Sequence, residues 1–512
     1  MKKRIAEKIK EFSILLAVSL FVVSCGGGKS GLDPDSGKTK PTPDPTPTPT
    51  ENYKYNAAKD KIELFHEFRA SWLTTVGGYD WPNGVKDPGI QQTNLRNMIH
   101  GIKGVNCNVV IMQVCCNSDA MWKSDILPWS SVLTGTQGKD PGYDPLQLAI
   151  QTAHSDGMEI HAWINPMRVG SATAARADNH PSKLHPDWVQ QYGSNLYWDP
   201  ANPEVIAYLE ALATELMSKY DLDGLHIDDY FYPDGLKADA KEWDDSEEYA
   251  LYGGGLSLEK WRESNINKVV KALYDGVHKT KPDKVFGVSP AGRLALTRYL
   301  YADPVQWVEQ GTVDYLAPQI YWHHNHSTAP FLPTMNTWKD AAAAGGAANQ
   351  VPVITGLAPY RLGETGFTNE EFKLEVEDCR KANWVIGNIW FRTAHLLASS
   401  FASYVRSNIY PRESLIPKVG KGFNNNSGAP AVPSISVNGK KIEWKAVAGA
   451  EGYALYELVK QSTSSSGAVT WRAELVTKGD MLSYSGSSKK NYAVLSFKGK
   501  DRSALSSVVY IE

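Results

Sequence analysis

The sequence predicts a (β/α)8 barrel followed by a small all-β sandwich, and three observations predict it. Between residues 56 and 420, eight apolar runs of strand length alternate with longer amphipathic stretches. Polar residues collect at the C-terminal ends of several runs, which is where barrel enzymes carry their chemistry. After "NNNSGAPAVPS" the texture changes to short alternating strands separated by turn residues. A doubly wound open sheet is the other fold that the same alternation allows.

The N-terminus reads as an address. "MKKRIAEKIK" is basic, and "ILLAVSLFVV" is apolar but too short to span a bilayer. Residues 1–25 are therefore an export signal. Cys25, directly after the apolar run, resembles a bacterial lipoprotein box. That likeness makes it the lipid-bearing first residue of the mature chain, with a plain secretory signal as the alternative. "CGGGKSG" lacks an acidic run of the surface-export kind, which favours a periplasm-facing anchor, in the outer membrane. Residues 26–55, rich in Gly, Pro, Thr and Asp, form an extended spacer.

The barrel, residues 56–420, has candidate strands "FRASWLTTV", "NVVIMQVC", "EIHAWINP", "GLHIDDY", "VFGVSP", "YLAPQIYW", "VPVITGL" and "VIGNIWFR". Between them lie helical patterns such as "DPLQLAIQTAHSDG" and "NPEVIAYLEALATELMSKY". In the latter Asn202 caps, Pro203 suits the first turn and Glu204 complements the dipole. Residues 428–512 form the sandwich. "IEWKAVAGAEGYALYE" resembles strands of the fibronectin type III family, with Trp444 and Tyr453 in the core.

The chain has 512 residues, 42% hydrophobic and 11% aromatic, enough for a large core. Its formal net charge of -3 argues against a nucleic-acid partner. Cys107, Cys115, Cys116 and Cys379 lack zinc-finger spacing and read as small buried residues. No cofactor and no metal are predicted.

"DGLHIDDYFYP" carries the chemistry. By strand alternation Leu225 and Ile227 face the helices, while Gly224, His226, Asp228 and Tyr230 face inward. The same test turns His161, Trp163 and Asn165 inward, then Gln319 and Tyr321, then Asn388, Trp390 and Arg392. Gln113 lies near the end of the second strand. Glycosidic cleavage needs two carboxyl groups, one to protonate the leaving oxygen and one to attack or to activate water. Asp228 and Asp229 are the predicted catalytic pair. Trp163, Tyr230, Tyr321, Trp322 and Trp390 offer sugar-stacking faces, and Asn165, Gln319 and Asn388 bind hydroxyls. His161, His226, Gln113 and Asp119 complete the expected substrate-binding set. Asp119, Glu67 and Asp303 are further candidates for the second carboxylate. Asp314 precedes its strand and should lie at the wrong end.

"FRASWLTT", "GYDPLQLAIQTAHSDGMEIHAWINPMRV", "YWDPANPEV", "YDLDGLHIDDYFYP", "WRESNINKVV", "FGVSPAGR" and "YADPVQWVEQGTVDYLAPQIYW" together resemble the bacterial glycosyl hydrolase-like 10 family, also called domain of unknown function 187. They span most of 63 to 360 in order. The resemblance implies a barrel, glycoside hydrolase activity and, for some members, glucosaminidase action on peptidoglycan strands stripped of peptides. It places Asp228, Asp229, Tyr230, His161, Asn165, Gln319 and Tyr321 in the site. The family's second strand ends in a basic residue near Gln113; here it reads "QVCCNSDA". Chitinase-type barrels are a fainter likeness: their last acid falls at Tyr230, so the motif, matched at Asp223, His226 and Asp228, does not support substrate-assisted chemistry.

Two other readings compete. In the first, His323, His324 and His326 of "YWHHNHS", or His161, His226 and Asp228, serve a metal-dependent hydrolase or deacetylase. In the second, an inactive barrel only binds glycan. Phe231 to Gly255 is a long insertion, either a surface loop or a lid.

Overall fold

The computed structural model describes residues 53–237, 243–420 and 428–512. The expected export signal, the lipidation site Cys25 and all but the last three residues of the spacer lie outside the described residues.

All eight predicted runs are strands of one closed parallel barrel. They are β1 (Phe68–Leu73), β2 (Val109–Cys115), β3 (Glu159–Ile164), β4 (Gly224–Ile227), β5 (Val285–Val288), β6 (Tyr315–Leu316), β7 (Val353–Leu357) and β8 (Val385–Phe391). Each pairs with its sequence neighbours, and β8 closes on β1. Their burial on both faces explains why they read as continuous apolar runs rather than as alternation. Among the helices are α1 (Pro88–Gly104), α2 (Pro145–Ser155), α3 (Pro203–Lys219), α4 (Leu258–Thr280), α5 (Pro304–Glu309), α6 (Phe331–Ala343), α7 (Asn369–Lys381) and α8 (Ser399–Tyr404). Four begin on an Asp-Pro or Asn-Pro step. Asp87, Asp144, Asn202 and Asp303 each accept a backbone N–H of the first turn, and the proline behind them lacks the donor that would go unpaired.

Two apolar layers result. Between strands and helices lies the larger core, and inside the barrel a smaller one holds Phe68, Ala70, Trp72, Val109, Ile111 and Tyr315. Gly287 makes the inner layer fit: a Cβ there would sit 1.9 Å from the Tyr315 ring.

β8 departs from simple alternation. Its register against β7 slips at Val353/Ile354, where Ile386 is skipped. Gly387, at φ 158°, lies so close to β1 that a Cβ would be 1.8 Å from the Phe68 carbonyl oxygen. Ile386 and Ile389 consequently both pack in the interior layer. Asn388 and Trp390, expected inside, face the helices instead. Trp390 packs against Phe372, Phe401 and Tyr410 at 6.0, 5.6 and 6.2 Å, far from any sugar.

Two regions were not anticipated. After β3, Arg168–Ser171, Asn195–Trp198 and Val189–Tyr192 form a small antiparallel sheet. Lys61–Leu64, assigned by sequence to the barrel, instead pairs in parallel with Val469–Gly479 of the C-terminal sheet. Parts of the insertion after β4 are pinned down: buried Trp243 meets Tyr232 and Tyr197, and Asp245 takes a two-pronged ion pair from Arg262 of α4 at 2.7 and 2.8 Å, while the insertion's short helix Ser246–Tyr252 buries no residue.

The C-terminal region holds two β-sheets. Lys490–Lys498, Gly452–Thr463 and Val469–Gly479 belong to one; Ile435–Asn438, Lys441–Trp444 and Ser483–Ser485 form the other. Trp444 and Tyr453 are buried with Leu455, Tyr492 and Val494 in one of the region's cores. This region meets the floor of the barrel, the N-terminal end of the strands: Lys500 pairs with Glu159 at 2.9 Å, and His66 Nε2 shares a hydrogen bond with Tyr456 Oη at 2.9 Å. Cys107, Cys115, Cys116 and Cys379 are buried free thiols.

Candidate active site

The mouth is organised around Asp228, the first residue after β4. It is 4% exposed. Its Oδ2 accepts from Trp163 Nε1 at 3.2 Å and, in a short contact, from Asn165 Nδ2. Its Oδ1, among the described residues, meets the Tyr230 amide alone, at 3.5 Å. Trp163 and Asn165 lie two residues apart at the end of β3, so strand alternation sends both side chains to the same acceptor. Asp229 is half-buried, and its Oδ1 accepts from Gln319 Nε2 at 3.0 Å. Gln319 is itself fixed by donating to the Ser289 carbonyl at 3.1 Å.

Burial dominates the electrostatics here. It pushes Asp228 up to about 7, against the pull of the Arg168 guanidinium and with help from the Asp229 charge. It pushes Asp229 up to about 6, opposed by the Gln319 hydrogen bond. Both carboxyls therefore titrate near neutrality, Asp228 the higher of the two.

Aromatic faces surround the pair. The exposed Tyr230 ring lies 4.2 Å under the Arg168 guanidinium. Tyr321 is buried beside the two aspartates, stacked on Phe391 at 5.7 Å and edge-on to Tyr360 at 6.0 Å. Tyr79, 52% exposed on the loop after β1, carries Arg392 over its ring at 5.3 Å. Arg392 is anchored on Asp80 at 2.6 Å.

The structure thus brings together Asp228, Asp229, Trp163, Asn165, Tyr230, Gln319 and Tyr321. The other expected contacts lie elsewhere. His161 and His226 are wholly buried, one layer below the mouth, because they precede Trp163 and Asp228 by one alternation. His226 Nε2 accepts from Trp72 Nε1 at 3.2 Å, so its proton sits on Nδ1 and goes to Tyr315 Oη at 2.9 Å. That hydroxyl then donates to His161 Nδ1 at 3.1 Å. Burial holds His226 well below the ordinary histidine value, as a neutral ring. Both histidines belong to the barrel's interior and do not reach substrate. Gln113 is buried too, and its amide links the first loop to Asn165. Asp119 is held within its own loop by Gln137 at 3.4 Å and by Ser130. Trp322 packs with the outer core over Gly292, whose Cβ would lie 2.7 Å from its ring.

The remaining carboxylates also have other work. Glu67 sits at the floor between Arg69 and Arg380, at 2.6 and 2.8 Å. Asp303 caps α5. Asp314, on the floor side as expected, takes His278 at 2.8 Å and the Phe286 amide at 2.7 Å. The histidine loop is a clamp: His324 bridges Glu371 and Asp378 of α7 at 2.7 and 2.9 Å. Among the described residues no group of three His, Cys, Asp or Glu is placed to hold a metal ion.

Sequence reasoning missed Arg168, Tyr79, Tyr360 and Phe391. Arg168 follows the "INPM" end of β3, and its place depends on the pairing of Arg168–Ser171 with Asn195–Trp198. Tyr79 and Tyr360 sit in the loops "VGGYDWPN" and "APYRLG" that follow β1 and β7. The rule that placed Asp228, that loops at the strands' C-terminal ends carry function, also covers them.

Comparison with known proteins gives the family. Residues 67–373 match the family described as Glycosyl hydrolase-like 10. The chain is 31% identical over 395 residues to glycosyl hydrolase YngK of Bacillus subtilis, covering 71% of this chain and 75% of that protein. It is 32% identical over 393 residues to glycosyl hydrolase DigH of Escherichia coli K12, covering 70% and 84%. A solved structure, the PgaB glycoside hydrolase domain of Bordetella bronchiseptica, overlays with a TM-score of 0.44 at 14% identity, covering 68% of this chain and all 100% of that one. The chain belongs to the glycosyl hydrolase-like 10 family and is an enzyme of the glycoside hydrolase class.

Proposed function

We propose that this glycosyl hydrolase-like 10 enzyme works in the cell envelope, anchored through lipid on Cys25, and cleaves peptide-free peptidoglycan strands as a glucosaminidase. The observation that carries the reaction is the Asp228–Asp229 pair. Two carboxyls with raised affinity for protons sit at the mouth under fixed N–H donors, among aromatic faces. Asp228, the more basic of the two, brings the proton to the glycosidic oxygen. Asp229, more open to solvent, is ionised and supports the anomeric centre by attack or by activating water. Tyr230 and Tyr79, whose rings are exposed, stack sugars, Tyr321 backs the site, and Arg168 steadies the negative charge left on the pair. The anchor rests on the signal ending in Cys25, and the substrate rests on the family resemblance.

A glycan panel that includes peptide-free peptidoglycan strands tests the reading, with products identified by mass spectrometry. Release of N-acetylglucosamine-terminated fragments by wild type supports it. Binding without release from any glycan would leave a glycan-binding protein in its place. Labelling of the full-length chain with a radioactive fatty acid, lost in Cys25→Ala, checks the anchor.

A further inference from the structure

We infer that Gln113, which never reaches the cleft, is a positioning residue that fixes which oxygen of Asp228 bears the acid proton. The inference rests on the reading of Asp228 as the acid.

The polarity of a three-residue chain sets the proton's place. The backbone N–H groups of Thr75 and Val76 can only donate, and both end on one atom of Gln113, at 2.9 and 2.8 Å. That atom is therefore the amide oxygen, Oε1. The other end, Nε2, is a donor and lies 2.6 Å from Asn165 Oδ1. Asn165 is thereby turned so that its own Nδ2 faces Asp228 Oδ2. Trp163 Nε1, a donor only, reaches the same oxygen at 3.2 Å. Oδ2 is committed as an acceptor twice over, so a proton on Asp228 resides on Oδ1, whose one contact among the described residues is the long one to the Tyr230 amide. Gln113 cannot flip without leaving two backbone N–H groups unpaired. The loop after β1 thus dictates, across three side chains, where the acid keeps its proton. Arg168, Asp229, Cys116, Tyr230 and Tyr321 are the other charged or titratable groups facing Asp228, and the variants below leave them in place.

Gln113→Glu reverses the chain, because an ionised carboxylate has no donor for Asn165. Asn165 must then turn its Nδ2 toward position 113 and show Asp228 its oxygen. Carbon-13 NMR of carboxyl-labelled aspartate follows the Asp228 titration, assigned by the signal that Asp228→Asn removes. Gln113→Glu should raise that titration by about one pH unit or more, and much less in an Asn165→Ala background. Equal shifts in both backgrounds would be the through-space charge alone and would overturn the proposal, as would no shift in either. If Gln113→Glu does not fold, Asn165→Ala by itself must raise the titration, and an unchanged titration overturns the proposal.

Turnover gives a second readout, on peptide-free peptidoglycan strands. kcat of Gln113→Glu should fall about tenfold to hundredfold at pH 7, with KM within about twofold. Its ratio to the wild-type kcat should recover toward pH 5, where the new carboxyl regains a proton and with it a donor, although both enzymes slow there as Asp229 is protonated. A KM effect alone would signify only a loosened loop. If Asp228→Asn still releases sugar at the wild-type rate, the catalytic reading fails, while the titration continues to judge the positioning role separately.

Discussion

At the floor of the barrel, Glu67 is buried between two guanidiniums; at the mouth, Asp228 is equally buried with none in ion-pairing distance among the described residues. Burial raises both. At the floor Arg380 and Arg69 outweigh it and hold Glu67 below the ordinary glutamate value. Glu159 beside them is drawn down to about 2, Lys500 and His161 overcoming burial. At the mouth Arg168 opposes burial without winning, and Asp228 rises to about 7. The same residue class in the same fold is thus spent differently. Floor carboxylates are permanent anions that tie strands to α7 and to the C-terminal sheets, whereas mouth carboxylates keep protons they can hand over. This is the division between stability and chemistry expected of a barrel's two ends.

The sharpest way to break the contrast is to neutralise one carboxylate at each end. Asp228→Asn should lower turnover by about 10²–10⁴-fold, the usual worth of a general acid. Glu67→Gln should leave turnover per folded molecule within about twofold and instead remove roughly 3–5 kcal/mol of stability, since it strands two buried cations. Denaturant melts beside initial rates separate the two. A Glu67→Gln enzyme that is stable and slow would erase the distinction.

Acidity sharpens it further, because the two ends respond with opposite sign. Glu67 has a lowered folded value, so its stabilisation is present above the ordinary glutamate range and is lost as pH falls through the folded value. Asp228 has a raised folded value, so its penalty is absent below about pH 4 and grows as pH rises through about 7. Melting curves from pH 4 to 8 should show Asp228→Asn gaining on wild type with rising pH, by roughly 2–4 kcal/mol. Turnover itself should be bell-shaped, with its maximum between about 6 and about 7, where one member of the pair is protonated and the other ionised.

Smaller effects belong to the rims. Tyr230→Ala removes an exposed stacking face at the mouth and should raise KM by about tenfold, with little change in melting temperature. Lys500→Ala at the floor takes from the largely buried Glu159 its main cation and should lower stability by about 1–3 kcal/mol, leaving KM alone.

The same contrast explains what the sequence made legible. The eight strands announced themselves because burial on both faces leaves them mostly apolar, and the Asn202-Pro203 step marked a helix start. Asp228 and Asp229 stood out because charge ended an apolar run. Depth within the barrel did not show. His161 and His226 share a face with Trp163 and Asp228, and alternation gives the face but not the layer. Trp390 was turned the wrong way because a single glycine, Gly387, shifts the phase of β8 through its approach to Phe68. Arg168 and the strand Lys61–Leu64 owe their places to partners far off in sequence, Tyr197 for Arg168 and Thr470 for Lys61, and a local pattern carries no trace of such pairing.

The most direct test of the account measures one protein twice: turnover and melting temperature of Asp228→Asn at pH 7.5. The account predicts an enzyme that releases almost no sugar and melts higher than wild type, because the buried charge that destabilises the mouth is the one that does the work. An Asp228→Asn enzyme that still turns over, or one that is inactive because it melts lower, would contradict it.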